Sequence, residues 1–466
     1  MPSEGRTVAG DVGGAATSLL GPSFASDEVR ALLDDRAWLQ AMLDVEAALA
    51  RAAADLGLVP AGAAETVASC CRAAQFDEAA LAARAATAGN PVIPLVEDLR
   101  AAVAPEALSA VHLGATSQDI IDTSLMLLAD RALGVTDAAL ARSIGAAAGL
   151  AARHRLDLMP GRTLLQHAVP ITFGLTAATW LVGLADARSG LARVRSERLA
   201  VQLGGAAGTL APLGDRGAEV MERLAARLGL RAPPLPWHTT RGRVAELVSA
   251  LAVATGAMGK VAADVIGLMQ TELAEVHEAA GPGRGGSSAM PHKRNPASAT
   301  FVDAAAHQVA GAAGIVLAVQ VQVHQRAAGA WHAEWEPVRR ALELTAGAAE
   351  RLADLLGDLE VDTARMRADL DLTGGLVMTE ALVGALTGTG MDPGTARATV
   401  EHAARRALAE GQALVELLAS DPTVRSALDD DALADALDPF LHLGATSAFI
   451  DRALALQGPS TGAPPR

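Results

Sequence analysis

Tyrosine is absent from this 466-residue chain, and aromatic bulk is limited to six phenylalanines and five tryptophans. A core so short of large rings must be filled by Ala, Leu and Val, residues that suit closely packed helices. Cysteine is nearly missing as well: there are two, Cys70 and Cys71, side by side. Adjacent cysteines fit neither an ordinary structural disulfide nor a spaced metal cage, so buried thiols in a reducing cytosol are expected. No apolar run near 20 residues lacks charges, and the start Met1-Pro2-Ser3-Glu4-Gly5-Arg6 has no signal-peptide pattern. The expectation is a soluble, cytoplasmic protein with no membrane partner. Positive charge is scarce too: 38 Lys and Arg against 53 Asp and Glu leave a net charge of -15. That balance argues against nucleic acid as a partner, since binding its backbone needs clustered cations.

What is present is apolar helix pattern. With 51% hydrophobic residues the chain can build a large core in two or three domains. Between Arg243 and Ala280 there is no proline, and Val244, Leu247, Leu251, Ala254, Met258, Val261, Val265 and Leu268 recur at alternating spacings of three and four. Such a length predicts a helix in an extended bundle. Similar patterns run over 120–155, 172–201 and 297–326, and strand-like alternation is scarce. The reading is all-α: an N-terminal helical domain over 1–111, a central long-helix bundle over 112–360 and a helical domain over 361–456. Residues 457–466 and the first twenty or so read as flexible ends. The bundle shows more apolar surface than one chain covers, which points to self-association.

The densest chemistry lies in Gly285-Gly286-Ser287-Ser288-Ala289-Met290-Pro291-His292-Lys293-Arg294-Asn295-Pro296. Glycines give this loop freedom, prolines stiffen its far side, and His292-Lys293-Arg294 is a local positive site able to focus small anions on an acidic protein. Ser287 and Ser288 carry oxygens that can pass a proton; Lys293 and Asn295 can donate to a carboxylate or a developing oxyanion. The string resembles the signature of the fumarase/aspartase superfamily. Its His-Lys-Arg-Asn-Pro ending is similar to the adenylosuccinate lyase and carboxymuconate cycloisomerase branches.

Two further segments carry the resemblance. His112-Leu113-Gly114-Ala115-Thr116-Ser117-Gln118-Asp119 precedes a helical pattern. Alone it reads as an N-cap, with Thr116 or Ser117 capping and Asp119 favouring the helix dipole; the same exposed N–H groups can bind carboxylates. It is similar to the first signature region, in the wording of the cycloisomerases. Gly161-Arg162-Thr163-Leu164-Leu165-Gln166-His167 resembles the second region but departs from it. Leu164 stands where fumarases and adenylosuccinate lyases have a histidine. His167, read here at helical spacing, could serve as donor or acid, or be a satisfied core residue.

The likeness to the cycloisomerases extends through Asn90-Pro91-Val92-Ile93-Pro94, Pro236-Trp237-His238-Thr239, Trp331-His332-Ala333-Glu334-Trp335-Glu336 and Asp371-Leu372-Thr373-Gly374-Gly375. It implies a homotetramer with a 20-helix core, each active site built from three subunits, acting without cofactor or metal on a small polycarboxylate. The implied reaction converts 3-carboxy-cis,cis-muconate to its lactone through an aci-carboxylate. Ser287 would be the proton-transfer residue, with Lys293 and Asn295 stabilising its oxyanion. Thr116, Ser117, Thr163, Gln166, Ser288 and Met290 would hold substrate, and Arg326 and Arg339 would be carboxylate clamps or, equally, structural ion pairs. Competing readings are a β-elimination lyase acting on nitrosuccinate or adenylosuccinate, and a non-catalytic structural protein of the same fold. Gly281-Pro282-Gly283-Arg284-Gly285-Gly286 fits a dinucleotide pattern only literally, since it follows a helix. His332, Glu334 and Glu336 at i, i+2 and i+4 do not share a helical face and so predict no metal site.

Overall fold

A computed structural model describes residues 19–279, 285–286, 290 and 292–456. It is helical almost throughout, as the composition predicts. The elements that matter for function are α1 (Asp35–Asp55), α2 (Ser117–Arg153), α3 (Phe173–Glu197), α4 (Gly242–Leu268), α5 (Ala297–Ala318), α6 (Trp335–Gly357) and α7 (Thr363–Asp371). Short strands are β1 (Leu158–Thr163), β2 (Gln166–Thr172), β3 (Val276–His277) and β4 (Glu360–Val361).

Helix α1 starts where the Asp34 carboxylate accepts from Ala37 N at 2.8 Å, satisfying one of the free donors of the first turn. Helix α2, with 37 residues, is roughly 55 Å long at 1.5 Å per residue. Small residues let the long helices approach: a Cβ on Gly259 of α4 would stand 2.9 Å from Ala306 Cβ of α5. The few rings are spent on anchoring. Trp180 of α3 donates through Nε1 to Asp264 of α4 at 2.7 Å and meets Phe173 edge to face at 5.6 Å.

The chain forms two compact units. One takes in 1–136, 191–252 and 308–347, the other 137–190, 253–307 and 348–466. The boundaries fall inside α2, α3, α4, α5 and α6, so each long helix has one end in each unit. The first unit has a core that includes Leu43, Val67, Leu95, Leu99, Ile120 and Trp331. In the second, Leu382, Leu386, Val400, Leu414 and Leu418 pack among the C-terminal helices. By length and composition α4 and α5 are apolar enough to cross a membrane, with 50% and 33% of their most apolar stretch buried inside the chain. Cys70 and Cys71 are free thiols; burial pushes the Cys71 thiol far above the usual range.

Three sequence expectations need correction. Helix α4 ends at Leu268 rather than near Ala280, because Val276 and His277 pair with Val361 and Glu360 instead. Helix α5 ends at Ala318 rather than Arg326. The following Val319-Gln320-Val321-Gln322-Val323 alternates as a strand does, and Val321 forms a bridge to Thr240. The segment around His167 is not helical. It is a β-hairpin in which Arg162 faces His167 and Thr163 faces Gln166, the register slipping between Pro160 and Arg162. Leu164 and Leu165 form its two-residue tip, with φ of 49° and 65°. Positive φ at both positions matches the twist of the flanking strands, although these residue types disfavour it.

Candidate active site

In the first unit, the loop leading into α2 is fixed from below by buried charge. Glu46 of α1, fully buried, accepts from His112 N at 3.1 Å and meets His112 Nδ1 at 2.6 Å. Burial alone would lower this imidazole, but Glu46 outweighs it and leaves His112 above its ordinary value. Thr116 and Ser117 follow, both half-buried. Asp119, three residues after Thr116, reaches back to accept from Thr116 N at 3.0 Å, the acidic half of a capping box.

Asp119 does much more than favour a helix dipole. Its carboxylate also accepts from Gly204 N at 3.0 Å and Gly205 N at 2.8 Å, and lies 2.6 Å from His238 Nε2. The two loops it ties together touch closely: a Cβ on Gly205 would sit 2.7 Å from Gly114 O. Gln118 donates to His238 O at 2.9 Å and accepts from Arg326 Nε at 3.2 Å; Arg326 Nη2 also reaches Gly205 O at 3.3 Å. One guanidinium is thus gathered with the Thr116–Ser117 turn. Deeper, Arg241 forks onto Asp122 (2.7 and 3.0 Å) and Glu334 (2.7 Å at its shortest), with Trp331 Nε1 on Asp122 at 3.1 Å and Gln322 on Glu334 at 2.8 Å. Burial holds Glu334 above the ordinary carboxyl range even though Arg241 pulls it down. Two carboxylates against one cation make this a rigid, satisfied base for the loops above.

In the second unit, Thr163 and Gln166 are exposed at the hairpin tip and His167 is half-buried behind them. Arg162 is locked by two 2.8 Å bonds to the fully buried Glu275. The basic loop is pinned at its neck: Asn295 N donates to Gly285 O at 2.9 Å and Gly286 bridges to Arg294. Arg294 Nη2 donates to Glu278 O at 2.7 Å, and the Glu278 carboxylate caps α5 through Ser298 N and Ala299 N. Lys293 is exposed, Asn295 half-buried and Met290 exposed. Ser287 and Ser288 lie outside the described residues. Arg339, on the stretch of α6 that belongs to the first unit, is bound to Glu336 at 2.9 Å and Glu343 at 3.2 Å. Among the described residues no three His, Cys, Asp or Glu side chains are grouped to hold a metal.

Asp122, His238, Arg241 and Glu334 were not foreseen as site residues. A local signal existed for one of them: Gln118, Asp119, Asp122, Thr123 and Ser124 form a polar run at the start of a helix that must be buried.

The sequence model of the lyase family matches residues 23–311, and that of the adenylosuccinate lyase C-terminus matches 375–453. The chain belongs to the lyase family, within the fumarase/aspartase superfamily. Among relatives of this family, a 3-carboxy-cis,cis-muconate cycloisomerase of Bradyrhizobium diazoefficiens is 48% identical over 94% of this chain and 98% of its own. A nitrosuccinate lyase of Streptomyces davaonensis is 43% identical over 97% and 96%. The crystal structure of the 3-carboxy-cis,cis-muconate lactonizing enzyme from Pseudomonas putida superposes with a TM-score of 0.88 at 40% identity, covering 94% of this chain and 98% of that one.

Proposed function

We propose that this lyase-family member is a cycloisomerase that closes 3-carboxy-cis,cis-muconate into 4-carboxymuconolactone. The observation that carries the reading is the match at 48% identity to a cycloisomerase over 98% of that enzyme's length. One substrate carboxylate oxygen attacks an alkene carbon and forms a C–O bond. The displaced π pair moves to the neighbouring carbon and onto its carboxylate as an aci-carboxylate, and that carbon then takes a proton. A trianion becomes a dianion, so each turnover consumes one proton. The demand on the protein is to stabilise concentrated negative charge with donors placed in advance. Arg326, oriented by Gln118 and Gly205, and the hydroxyls of Thr116 and Ser117 suit one carboxylate. Thr163, Gln166 and His167 of the hairpin suit another. Ser287 carries the proton transfer, with Lys293 and Asn295 stabilising its oxygen.

The assembly in this reading is a cytoplasmic homotetramer in which three subunits build each site. The three-part division at 111 and 360 describes its domains. The apolar lengths of α4 and α5 support association of copies, and the Asp264 carboxylate of α4, bonded to Trp180 and Lys260, suits a protein bundle better than lipid. No nucleic acid, metal or cofactor takes part in this reading, and exhaustive chelation should leave the rate unchanged.

A second reading, elimination of nitrite from nitrosuccinate, is favoured by the 43% identity to a nitrosuccinate lyase. Both reactions pass through an aci-anion, so one constellation serves either. Incubation with each compound separates them: loss of diene absorbance without nitrite supports the cycloisomerase, and nitrite release without diene loss replaces it.

A further inference from the structure

Cations repel one another, so a place where several guanidinium groups converge needs a cause. Arg51, Arg131 and Arg227 line one cavity of about 450 Å³ that lies wholly in the first unit. None of the residues that line it belongs to the site described above.

Three helices supply its walls. On α1, Asp44, Ala47, Ala48 and Arg51 fall at i, i+3, i+4 and i+7 and so share one face. Leu127 and Arg131, four apart on α2, form the second wall. Arg227 and Leu228, at the end of the helix Gly217–Leu228, form the third.

Each arginine is held by a carboxylate. Arg51 gives Nε and Nη2 to Glu65 at 2.8 and 2.7 Å, and Arg227 gives Nε and Nη2 to Asp55 at 2.8 and 2.6 Å. Neither Glu65 nor Asp55 lines the cavity. Arg131 Nη2 donates to Asp44 at 2.9 Å, and the other oxygen of Asp44 accepts from Gln40 at 2.8 Å. A fork of this kind fixes the plane of a guanidinium while occupying only part of its edge. Nη1 of Arg51 and of Arg227, and Nε and Nη1 of Arg131, are left to solvent, on side chains 36–40% exposed. On the cavity wall itself, three guanidinium groups stand against the single carboxylate of Asp44. An ordinary surface ion pair has no need of such a hollow.

The walls also say what fits between them. Free N–H donors on three sides suit oxyanions, and a lone phosphate-sized ion would leave most of the space empty. The remaining lining is Ala47, Ala48, Leu127 and Leu228, which offers nothing to a charge and suits a hydrocarbon body.

We propose that this cavity is a second anion site, shaped for a small organic polycarboxylate whose carboxylates bridge Arg51, Arg131 and Arg227 and whose carbon skeleton lies against Leu127 and Leu228. The site is separate from the one assigned to lactone closure, and it stands whether or not the cycloisomerase reading does.

Tricarballylate, a tricarboxylate without an alkene to react, is the probe. Equilibrium dialysis of the radiolabelled compound against the whole protein should show two molecules bound per chain, one in this cavity and one in the active site. In Arg51→Gln/Arg227→Gln one of the two should be lost, its dissociation constant rising by ~10-fold or more, while kcat stays at the parent value. Arg131→Gln, which leaves Asp44 to Gln40, should lose the same molecule and serves if the double variant does not fold. Arg326→Gln should lose the other. Binding unchanged in the cavity variants overturns the site, and inorganic phosphate bound as tightly as tricarballylate overturns the polycarboxylate. Loss in the cavity variants with none in Arg326→Gln upholds the cavity and counts against the active-site reading alone.

Discussion

Asp119 and Asp369 are both fully buried aspartates, and their surroundings are opposite. Asp119 is met by three backbone N–H groups and an imidazole. Asp369 faces another carboxyl group and meets a single guanidinium, Arg365 Nη2 at 3.1 Å, which is aimed at backbone carbonyls. The first arrangement puts an acceptor where three segments of backbone must meet, so it is a fastening. The second sets two carboxyl groups together out of water, and burial first, with Asp369 beside it, holds Glu275 above the ordinary carboxyl range although Arg162 pulls it down. One residue type, equally buried, is put to two uses by what it is given to bond with. The fastening carries the turn that includes Thr116 and Ser117; the carboxyl pair is tied, through Glu275 and Arg162, to the hairpin that carries Thr163 and Gln166.

The largest effect that would sharpen this contrast is expected from Asp119→Ala. Removing the acceptor leaves Thr116 N, Gly204 N, Gly205 N and His238 without their partner, at a cost of ~3–5 kcal/mol. Urea unfolding should show it, together with a raised KM, because the Thr116 turn loses its anchor. A loss below ~1 kcal/mol would mean that the four donors find other acceptors and that Asp119 is no fastening.

A middle-sized effect belongs to the Glu46–His112 pair beneath the same turn. The folded state raises this imidazole, so it binds a proton more tightly than the unfolded chain does. Its stabilising contribution is complete below the ordinary value of 6.5 and is lost as pH climbs through the raised one. Melting temperature measured across neutral pH should therefore decline on the alkaline side, and Glu46→Gln should flatten that decline. A slope unchanged in Glu46→Gln would remove the pair from the account.

The smallest effect on stability is expected at Asp369 itself. Asp369→Asn gives up one contact with Arg365, whose guanidinium keeps its bonds to Leu273 O and Glu272 O, and relieves the crowding against Glu275, so unfolding free energy should change by no more than ~1 kcal/mol in either direction. A loss as large as that of Asp119→Ala would erase the contrast between the two aspartates.

How far these features were legible in sequence follows from how far apart their partners lie. The long helices announce themselves through apolar spacing, and α2 and α3 begin and end within a few residues of where that spacing places them. The hairpin does not announce itself. Its turn lacks Asn-Gly or Asp-Gly, and Leu164 and Leu165 read as helix formers, so nothing local marks the positive φ they adopt. Asp119 looked like a dipole-favouring residue because its other donors come from 85, 86 and 119 positions away. Asp369 was hidden differently: with Arg365 four residues earlier it reads as an ordinary surface pair, and only its burial reveals otherwise. The basic loop, by contrast, stands out in the string itself, and the structure shows its neck, where Asn295 N donates to Gly285 O and Gly286 bridges to Arg294.

Lactone closure differs from nitrite elimination in its proton count as well as its product, and one measurement on the purified protein reads both. In a weakly buffered solution with a pH indicator, 3-carboxy-cis,cis-muconate is added while diene absorbance is followed. The account predicts that absorbance is lost and that one proton is taken up per molecule consumed. An unchanged diene, in a preparation that releases nitrite from nitrosuccinate, would contradict it.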